Sequence, residues 1–360
     1  MNLPCTNFRL GRLLAILVAA VLITASGTAT AQNTFTAGQI SQSSQMPDIV
    51  PFELQNGLIV LKASVGDGLM GPAILDTGLA SCVASPEFAT KHGMKPAGLR
   101  DLDILDRSVR VSGAPVQSLR INRVALTSVT FGVFDLFSHL SATPPKDGPP
   151  LWIGNSALAA LTTTIDPQQQ RIVIRPAGMV MPPNSTIVPF EFKQGRIWVD
   201  VKVNGKKNFS ALLDTGSVGT MLPASVAKAL ALTPATTIPF THPDGKEGKV
   251  CAVDLTDISL GGLKVTDVQA IYIDQTSKDG FDPEFGIIGN DILLRYRITI
   301  DYSQKKIAFE KIALPDSDKK AVTAATKPDG KAKPPSGTGG APAPTDPKSV
   351  PNPGNPGPPP

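Results

Sequence analysis

The sequence predicts an all-β protein with short helices, built as two tandem copies of one small domain. Three observations predict it. Four motifs recur in the same order along the chain. The segments between them alternate apolar and polar residues with the two-residue period of a half-buried strand. Helical stretches are few and short.

The recurrence comes first because it fixes the domain count. Val50-Pro51-Phe52-Glu53-Leu54 returns as Val188-Pro189-Phe190-Glu191-Phe192, and Ile74-Leu75-Asp76-Thr77-Gly78 as Leu212-Leu213-Asp214-Thr215-Gly216, both 138 residues later. Trp152-Ile153-Gly154-Asn155 returns as Ile287-Ile288-Gly289-Asn290. Asp166 and Asp301 each follow 12 residues after the glycine of that motif and open a turn into an apolar run. A period this long is a duplicated domain and not a solenoid repeat. The boundaries read as a first copy over 48–175, a Pro/Gly-containing linker over 176–185 and a second copy over 186–313.

Both ends read as non-globular. Arg9 and Arg12, an apolar run from Leu13 to Ile23 and the small-residue exit Ala29-Thr30-Ala31 have the layout of an export signal, 1–31, followed by a short linker, 32–47. The run is short for a membrane span, which takes about 20 apolar residues, so no stable insertion is expected once the signal is removed; an uncleaved membrane anchor is the alternative. Residues 314–360 are dense in proline, glycine and lysine and carry too little apolar surface to offset the entropy of ordering. The expected location is therefore outside the cytoplasm, periplasmic or secreted. The net charge of +4 is small and draws on lysines of the tail and arginines of the signal, so no nucleic-acid partner is implied. Cys82 and Cys251 remain in the mature chain, as a disulfide or as two buried thiols.

Within each copy, Ile197–Val203 alternates as a strand, Asn204-Gly205 is a hairpin turn because both residues accept positive φ, and Phe209–Leu213 returns. Pro86–His92, Ala224–Leu230 and Ile292–Arg295 are the helix candidates. Gly66-Asp67-Gly68-Leu69-Met70-Gly71 fits G-x-G-x-x-G, but a strand-like segment follows instead of a helix. It also lies 10 residues before Asp76, as the Asn204 turn lies 10 before Asp214, and so reads as a hairpin turn.

The chemistry resides in the paired aspartates. Two carboxylates in one site do not both ionise easily and hold a proton between them. The ionised partner can take a proton from water while the protonated one hydrogen-bonds a carbonyl, which is general acid–base hydrolysis without metal or covalent intermediate. A duplicated domain with one Asp per copy places such residues opposite one another across an approximate two-fold axis.

With Asp76-Thr77-Gly78 and Asp214-Thr215-Gly216-Ser217 each ahead of an apolar-apolar-Gly segment, residues 48–312 resemble the aspartic peptidases of the pepsin and retropepsin type. Gly286–Leu293 through Ile300-Asp301-Tyr302 is similar to bacterial retropepsin-like proteases in particular. The resemblance implies two closed β-barrel domains in a pseudo-two-fold bilobal fold, with catalytic Asp76 and Asp214 at the interface. It also implies that Thr77 and Thr215 cross-brace the loops. Gly78 and Gly216 would let the backbone pass close to the carboxylates, and Ser217 would hydrogen-bond the outer oxygen of Asp214. Leu79 stands where the family has Ser or Ala. Its bulk and lack of a side-chain donor keep a second reading in play, a catalytically silent peptide-binding or cell-wall-associated module. No counterpart of the pepsin flap tyrosine is evident, and the flaps are placed at Ser112-Gly113 and Asp244-Gly245, inside turn-like segments.

Other chemistries fare worse. His92, His139 and His242 are scattered with no metal-ligand spacing, and no G-x-S-x-G elbow is present. Cys82 has no local histidine partner and reads as a core or subsite residue. No metal or cofactor is expected. The expected activity is an aspartic endopeptidase acting on extended peptide or protein substrate. Its two halves pair within one chain as a monomer; pairing between two chains is the alternative.

Overall fold

In a computed structural model, residues 35–104, 107–137, 148–241, 247–275 and 284–312 are described. The export signal and the proline-rich tail of the sequence reading lie outside them. Among the described residues the chain is mostly strand.

The first half begins with β1 (Gln39–Ile40), which pairs with a later strand, so the segment taken as a linker contributes to the sheet. Then come β2 (Asp48–Gln55), β3 (Leu58–Val65), β4 (Gly71–Leu75), β5 (Val83–Ala84) and α1 (Pro86–Lys91). They are followed by β6 (Leu99–Ile104), β7 (Arg107–Val116), β8 (Leu119–Ile121), β9 (Val124–Thr127), β10 (Val129–Val133), β11 (Leu151–Ile153), α2 (Asn155–Leu158), β12 (Leu161–Asp166) and β13 (Arg171–Pro176). The second half repeats the order. It has β14 (Thr186–Pro189), β15 (Glu191–Lys193), β16 (Arg196–Val203), β17 (Lys207–Leu213), β18 (Thr220–Met221), α3 (Ala224–Ala229), β19 (Thr236–Thr241), β20 (Glu247–Leu260), β21 (Leu263–Gln275), β22 (Gly286–Ile288), α4 (Asn290–Leu293), β23 (Tyr296–Asp301) and β24 (Lys306–Lys311).

The local signals explain these elements. Asn204 and Gly205 take φ of 50° and 64°, closing the turn between β16 and β17. The G-x-G-x-x-G segment is the loop between β3 and β4 and opens no helix. α1 starts at Ser85, whose side chain accepts from the Phe88 N–H, with Pro86 as its first residue. Along β16 the side chains alternate into a core that runs through both halves. In the second half, β16-β17-β22-β18-β21-β20 closes on itself through a further β16–β20 pairing, giving the barrel; in the first, β8 closes the same ring against β3.

Each half threads its Asp loop through crossed strands. β11 lies between β4 and β5, parallel to the first and antiparallel to the second. β22 lies in the same way between β17 and β18. Asp76 and Asp214 therefore leave the ends of β4 and β17, where their N–H groups donate to Ile153 O (3.1 Å) and Ile288 O (3.0 Å). Gly154 and Gly289 are required at the crossing. A Cβ at either would sit 2.4 Å from a backbone carbonyl oxygen, of Ser81 or of Gly219.

The halves share one six-stranded antiparallel sheet, ordered β14-β24-β23-β12-β13-β2. At its centre Thr164 of β12 pairs with Thr299 of β23, and their hydroxyls lie 2.9 Å apart. These two threonines are equivalent in the repeat, so the pseudo-two-fold axis passes between them. Asp166 and Asp301 cap the following turns as the sequence suggested, accepting from Gln169 N–H and Gln304 N–H. Asp301 does more. It also accepts from the Thr162 hydroxyl across the axis (2.8 Å) and from Gly178 N–H (2.8 Å), which pins the linker to the sheet. Burial works against its charge, but donors from Ser303, Thr162, Gln304 and Gly178 outweigh that and hold its pKa below the ordinary value.

Asp301→Asn is expected to destabilise the protein by roughly 2 kcal/mol at neutral pH, since it weakens several charge-assisted bonds at the interlobe seam. Because the native pKa is depressed, this stability is present above the unfolded-state pKa and is lost as pH falls through the native one. Chemical denaturation of both proteins at pH 7 and at pH 3 checks it: the gap should narrow in acid.

Candidate active site

The two Asp-Thr-Gly loops meet across the axis and exchange hydrogen bonds. Thr77 Oγ1 donates to Leu213 O (2.7 Å) and accepts from Thr215 N–H (3.0 Å). Thr215 Oγ1 donates to Leu75 O (2.8 Å) and accepts from Thr77 N–H (3.0 Å). Both threonines are buried. Each hydroxyl thus satisfies an amide and a strand-end carbonyl of the other half that no ladder reaches, as buried backbone groups require.

Each carboxylate is oriented by its own loop. Asp76 Oδ1 accepts from Gly78 N–H (3.0 Å) and Leu79 N–H (3.1 Å), and Asp214 Oδ1 from Gly216 N–H (2.8 Å). The glycines serve the opposite half as well. A Cβ on Gly78 would lie 2.4 Å from Asp214 Cγ, and one on Gly216 2.4 Å from Asp76 Cγ. The two carboxyl groups interact directly and are buried, at 7% and 8% exposure. Burial, and then the charge of Asp214, push Asp76 well above the ordinary carboxylate pKa against the Gly78 and Leu79 amides. Burial also raises Asp214, over the opposing pull of Gly216 N–H, Asp76, Gly78 N–H and the nearby Arg196 charge. A pair in this state keeps one proton to higher pH than a free carboxylate does and titrates as a unit.

The structure thus brings together Asp76, Thr77, Gly78, Asp214, Thr215 and Gly216. Ser217 differs from its assigned role: its hydroxyl donates to Gly219 O (2.9 Å) and not to Asp214. Leu79 does not crowd Asp76. Its backbone N–H supports the carboxylate while its side chain is buried with Val60, Ile74, Val83 and Trp152. Ser112 and Gly113 are not in a turn. They lie mid-strand in β7, opposite Leu99 and Val133 and opposite Gly132. Arg100 runs beside this glycine, its guanidinium donating to Thr130 O and Ser81 Oγ. Asp244 and Gly245 join the paired strands β19 and β20 but lie outside the described residues. Cys82 and Cys251 are free and buried; Cys82 is a core residue, its thiol pKa pushed up by burial.

Sequence reasoning missed Asn155 and Asn290. Each donates through Nδ2 to the carbonyl of its own loop's threonine, Thr77 (2.8 Å) or Thr215 (2.9 Å). Each also donates to a turn glycine of the other half, Gly195 or Gly57, both at 2.8 Å. The signal was present, since the asparagine recurs after the glycine in both copies. Arg196 was missed too; it is buried, its guanidinium lies 5.5 Å from the Trp198 ring, and Leu58 occupies the equivalent place in the first half. A cavity of about 360 Å³, lined by Thr162, Thr164, Arg171, Arg175 and Arg297 among others, opens on the outer face of the shared sheet and contains no residue of either Asp loop.

Two closed β-barrels sharing a sheet, with one Asp-Thr-Gly loop from each crossing at the axis, define a duplicated acid-protease architecture. Residues 61–157 and 199–292 each match a family model described as Aspartyl protease, one region per repeat and together more than half of the chain. The chain belongs to that family. No curated protein matches it.

Two outcomes follow from the geometry. Thr215→Val keeps the shape but removes a buried donor and acceptor, and should cost about 2–4 kcal/mol, read by denaturant unfolding. Asp291, beside Asn290, is held by the Thr220 hydroxyl (2.8 Å), and burial raises its pKa from 3.8 to about 6. The native state therefore binds its proton more tightly than the unfolded state, and stability from this group falls as pH rises from about 4 to above 6. Asp291→Asn should remove that slope and raise neutral-pH stability, by as much as about 3 kcal/mol, in unfolding curves taken at pH 4 and pH 7.

Proposed function

We propose that the protein is an aspartic endopeptidase that hydrolyses peptide bonds with a water activated between Asp76 and Asp214. The observation that carries this is the buried carboxyl pair held across the axis by the Thr77–Thr215 exchange, with both pKa values raised. In the singly protonated pair, the ionised carboxylate takes a proton from water as the oxygen attacks the scissile carbonyl carbon. The protonated partner hydrogen-bonds and then protonates the carbonyl oxygen. The carboxyl that took the proton from water then gives it to the amide nitrogen while its partner takes a proton from a hydroxyl of the tetrahedral intermediate; the C–N bond breaks, acid and amine leave, and the pair again holds one proton. No residue is acylated and no metal enters a step.

The substrate is an extended peptide, which can add backbone hydrogen bonds in the manner of a strand. The hairpins β6–β7 and β19–β20, one per half, stand in equivalent places and are the elements suited to close over it. The two halves of one chain complete the site, so a monomer suffices. The N-terminal signal grammar supports action outside the cytoplasm.

Peptide cleavage measured from pH 3 to pH 8 tests the reading. The wild type should work best at acidic to mildly acidic pH, because the required proton is lost as pH rises through the raised pKa of the pair. Asp76→Asn and Asp214→Asn should each lower kcat by at least about 10³-fold. Gly78→Ala should also inactivate, since its Cβ would displace the Asp214 carboxylate. A folded wild type that binds peptide but cleaves nothing would favour the silent binding module.

A further inference from the structure

We propose that Tyr302, from the second repeat, is a positioning residue for Asp76 in the first, and that the Asp214 side lacks its equivalent. The inference rests on the peptidase reading above for its kinetic consequence but not for its geometry.

The relay runs through three hydrogen bonds. The Tyr302 hydroxyl donates to Asn155 Oδ1 (2.6 Å). Asn155 Nδ2 donates to Thr77 O (2.8 Å). The N–H of that same Thr77–Gly78 peptide donates to Asp76 Oδ1 (3.0 Å). One peptide plane is therefore gripped at its carbonyl and grips Asp76 at its amide. Hydrogen bonds in series polarise one another in a buried setting, so a donor at the far end strengthens the amide that faces the carboxylate. Asn155 is fully buried and Tyr302 nearly so. Burial raises the phenol pKa, so Tyr302 stays protonated and donates. Phe190 and Phe192 pack edge-on to its ring and fix its direction.

The second half has the same first links and no terminus. Asn290 Nδ2 donates to Thr215 O, and the Thr215–Gly216 peptide donates to Asp214 Oδ1. Yet Asn290 Oδ1, buried, has no hydrogen-bond partner among the described residues. Asp166 matches Asp301 in the repeat, so the residue matching Tyr302 is Pro167, which offers neither hydroxyl nor N–H. Two near-identical loops are thus braced unequally, and the difference falls on the two groups whose roles differ in an acid–base pair.

Tyr302→Phe keeps the ring packing and removes the donor. Steady-state kinetics across pH, together with a ¹³C-carboxyl NMR titration of labelled aspartates, test the relay. We expect kcat to fall roughly ten-fold, the size of one such bond expressed in the transition state, with KM within about two-fold. The acid limb and the Asp76 resonance should both titrate at higher pH, because a weaker amide donor stabilises the carboxylate less. The loss should not add to that of Asn155→Ala but should add to that of Asn290→Ala. Unchanged kcat, pH profile and Asp76 titration in Tyr302→Phe would overturn the proposal, even if the unfolding midpoint dropped. If the wild type cleaves nothing but the Asp76 titration still moves, the relay stands and the peptidase reading falls. If the wild type cleaves, Asp76→Asn is dead and Tyr302→Phe matches the wild type in both readouts, the relay alone falls.

Discussion

The exchange between Thr77 and Thr215 is the constraint on which the rest depends. An Asp loop that leaves the end of β4 or β17 strands a carbonyl, Leu75 or Leu213, and a threonine amide in the interior. Buried backbone groups left unpaired cost on the order of 1–3 kcal/mol each. Neither repeat can satisfy its own set; each supplies what the other lacks. The site is therefore interlobe by construction, and a half of this protein would carry an exposed and unsatisfied loop in place of half an active site. The same bonds leave the lobes little freedom to rotate at the loops.

A single contact on a two-fold axis fixes a point, and two fix the axis. The second is the Thr164–Thr299 pair in the shared sheet. Between these points the backbone is held symmetric, because each bond from one half is matched by its repeat-equivalent bond from the other. Side chains that do not bridge the axis are free to diverge. They have done so at Leu79 and Ser217, Leu58 and Arg196, and Pro167 and Tyr302. Even the grip on Asp166 and Asp301 has diverged: Arg297 reaches the first (3.0 Å) and the Thr162 hydroxyl the second. Symmetry places two like carboxylates face to face, and divergence around them gives the two distinct surroundings.

What could be read in the sequence was what is local or repeated. The repeat, the Asp-Thr-Gly loops, the Asn204-Gly205 turn and the helices at Pro86 and Ala224 follow from φ preferences and from comparing one copy with the other, whereas the helix expected at Ile292–Arg295 lies at Asn290–Leu293 and its equivalent at Asn155–Leu158 was not read. The failures share a cause. Ser112-Gly113 looked like a turn because glycine marks turns, but the residues are paired mid-strand with Leu99, Val133 and Gly132, partners that local sequence does not show. The Ser217 hydroxyl was assigned by resemblance, whereas its rotamer delivers it to a carbonyl two residues away. Asn155 was read as the tail of an apolar motif because its partners, Gly195 and Tyr302, are distant in the chain and arrive only when the second barrel docks.

Leu79 shows how a departure in sequence can leave the chemistry in place. The resemblance makes a hydroxyl-bearing or small residue the expectation after the glycine, yet the bond that Asp76 receives at this position comes from the backbone, which any residue but proline supplies. The leucine side chain turns away into an apolar cluster with Leu102, Ile104 and Val111 of the β6–β7 hairpin. That cluster joins the hairpin to the Asp loop in the first half. In the second half the matching cluster, built on Met221, Ile271 and Ile287, includes no residue of the Asp loop. The first loop is thus tied to the β6–β7 hairpin, and the second has no such tie within its cluster. A substitution that looks like the loss of a polar support leaves the backbone support of Asp76 in place and adds an apolar tie between its loop and the β6–β7 hairpin.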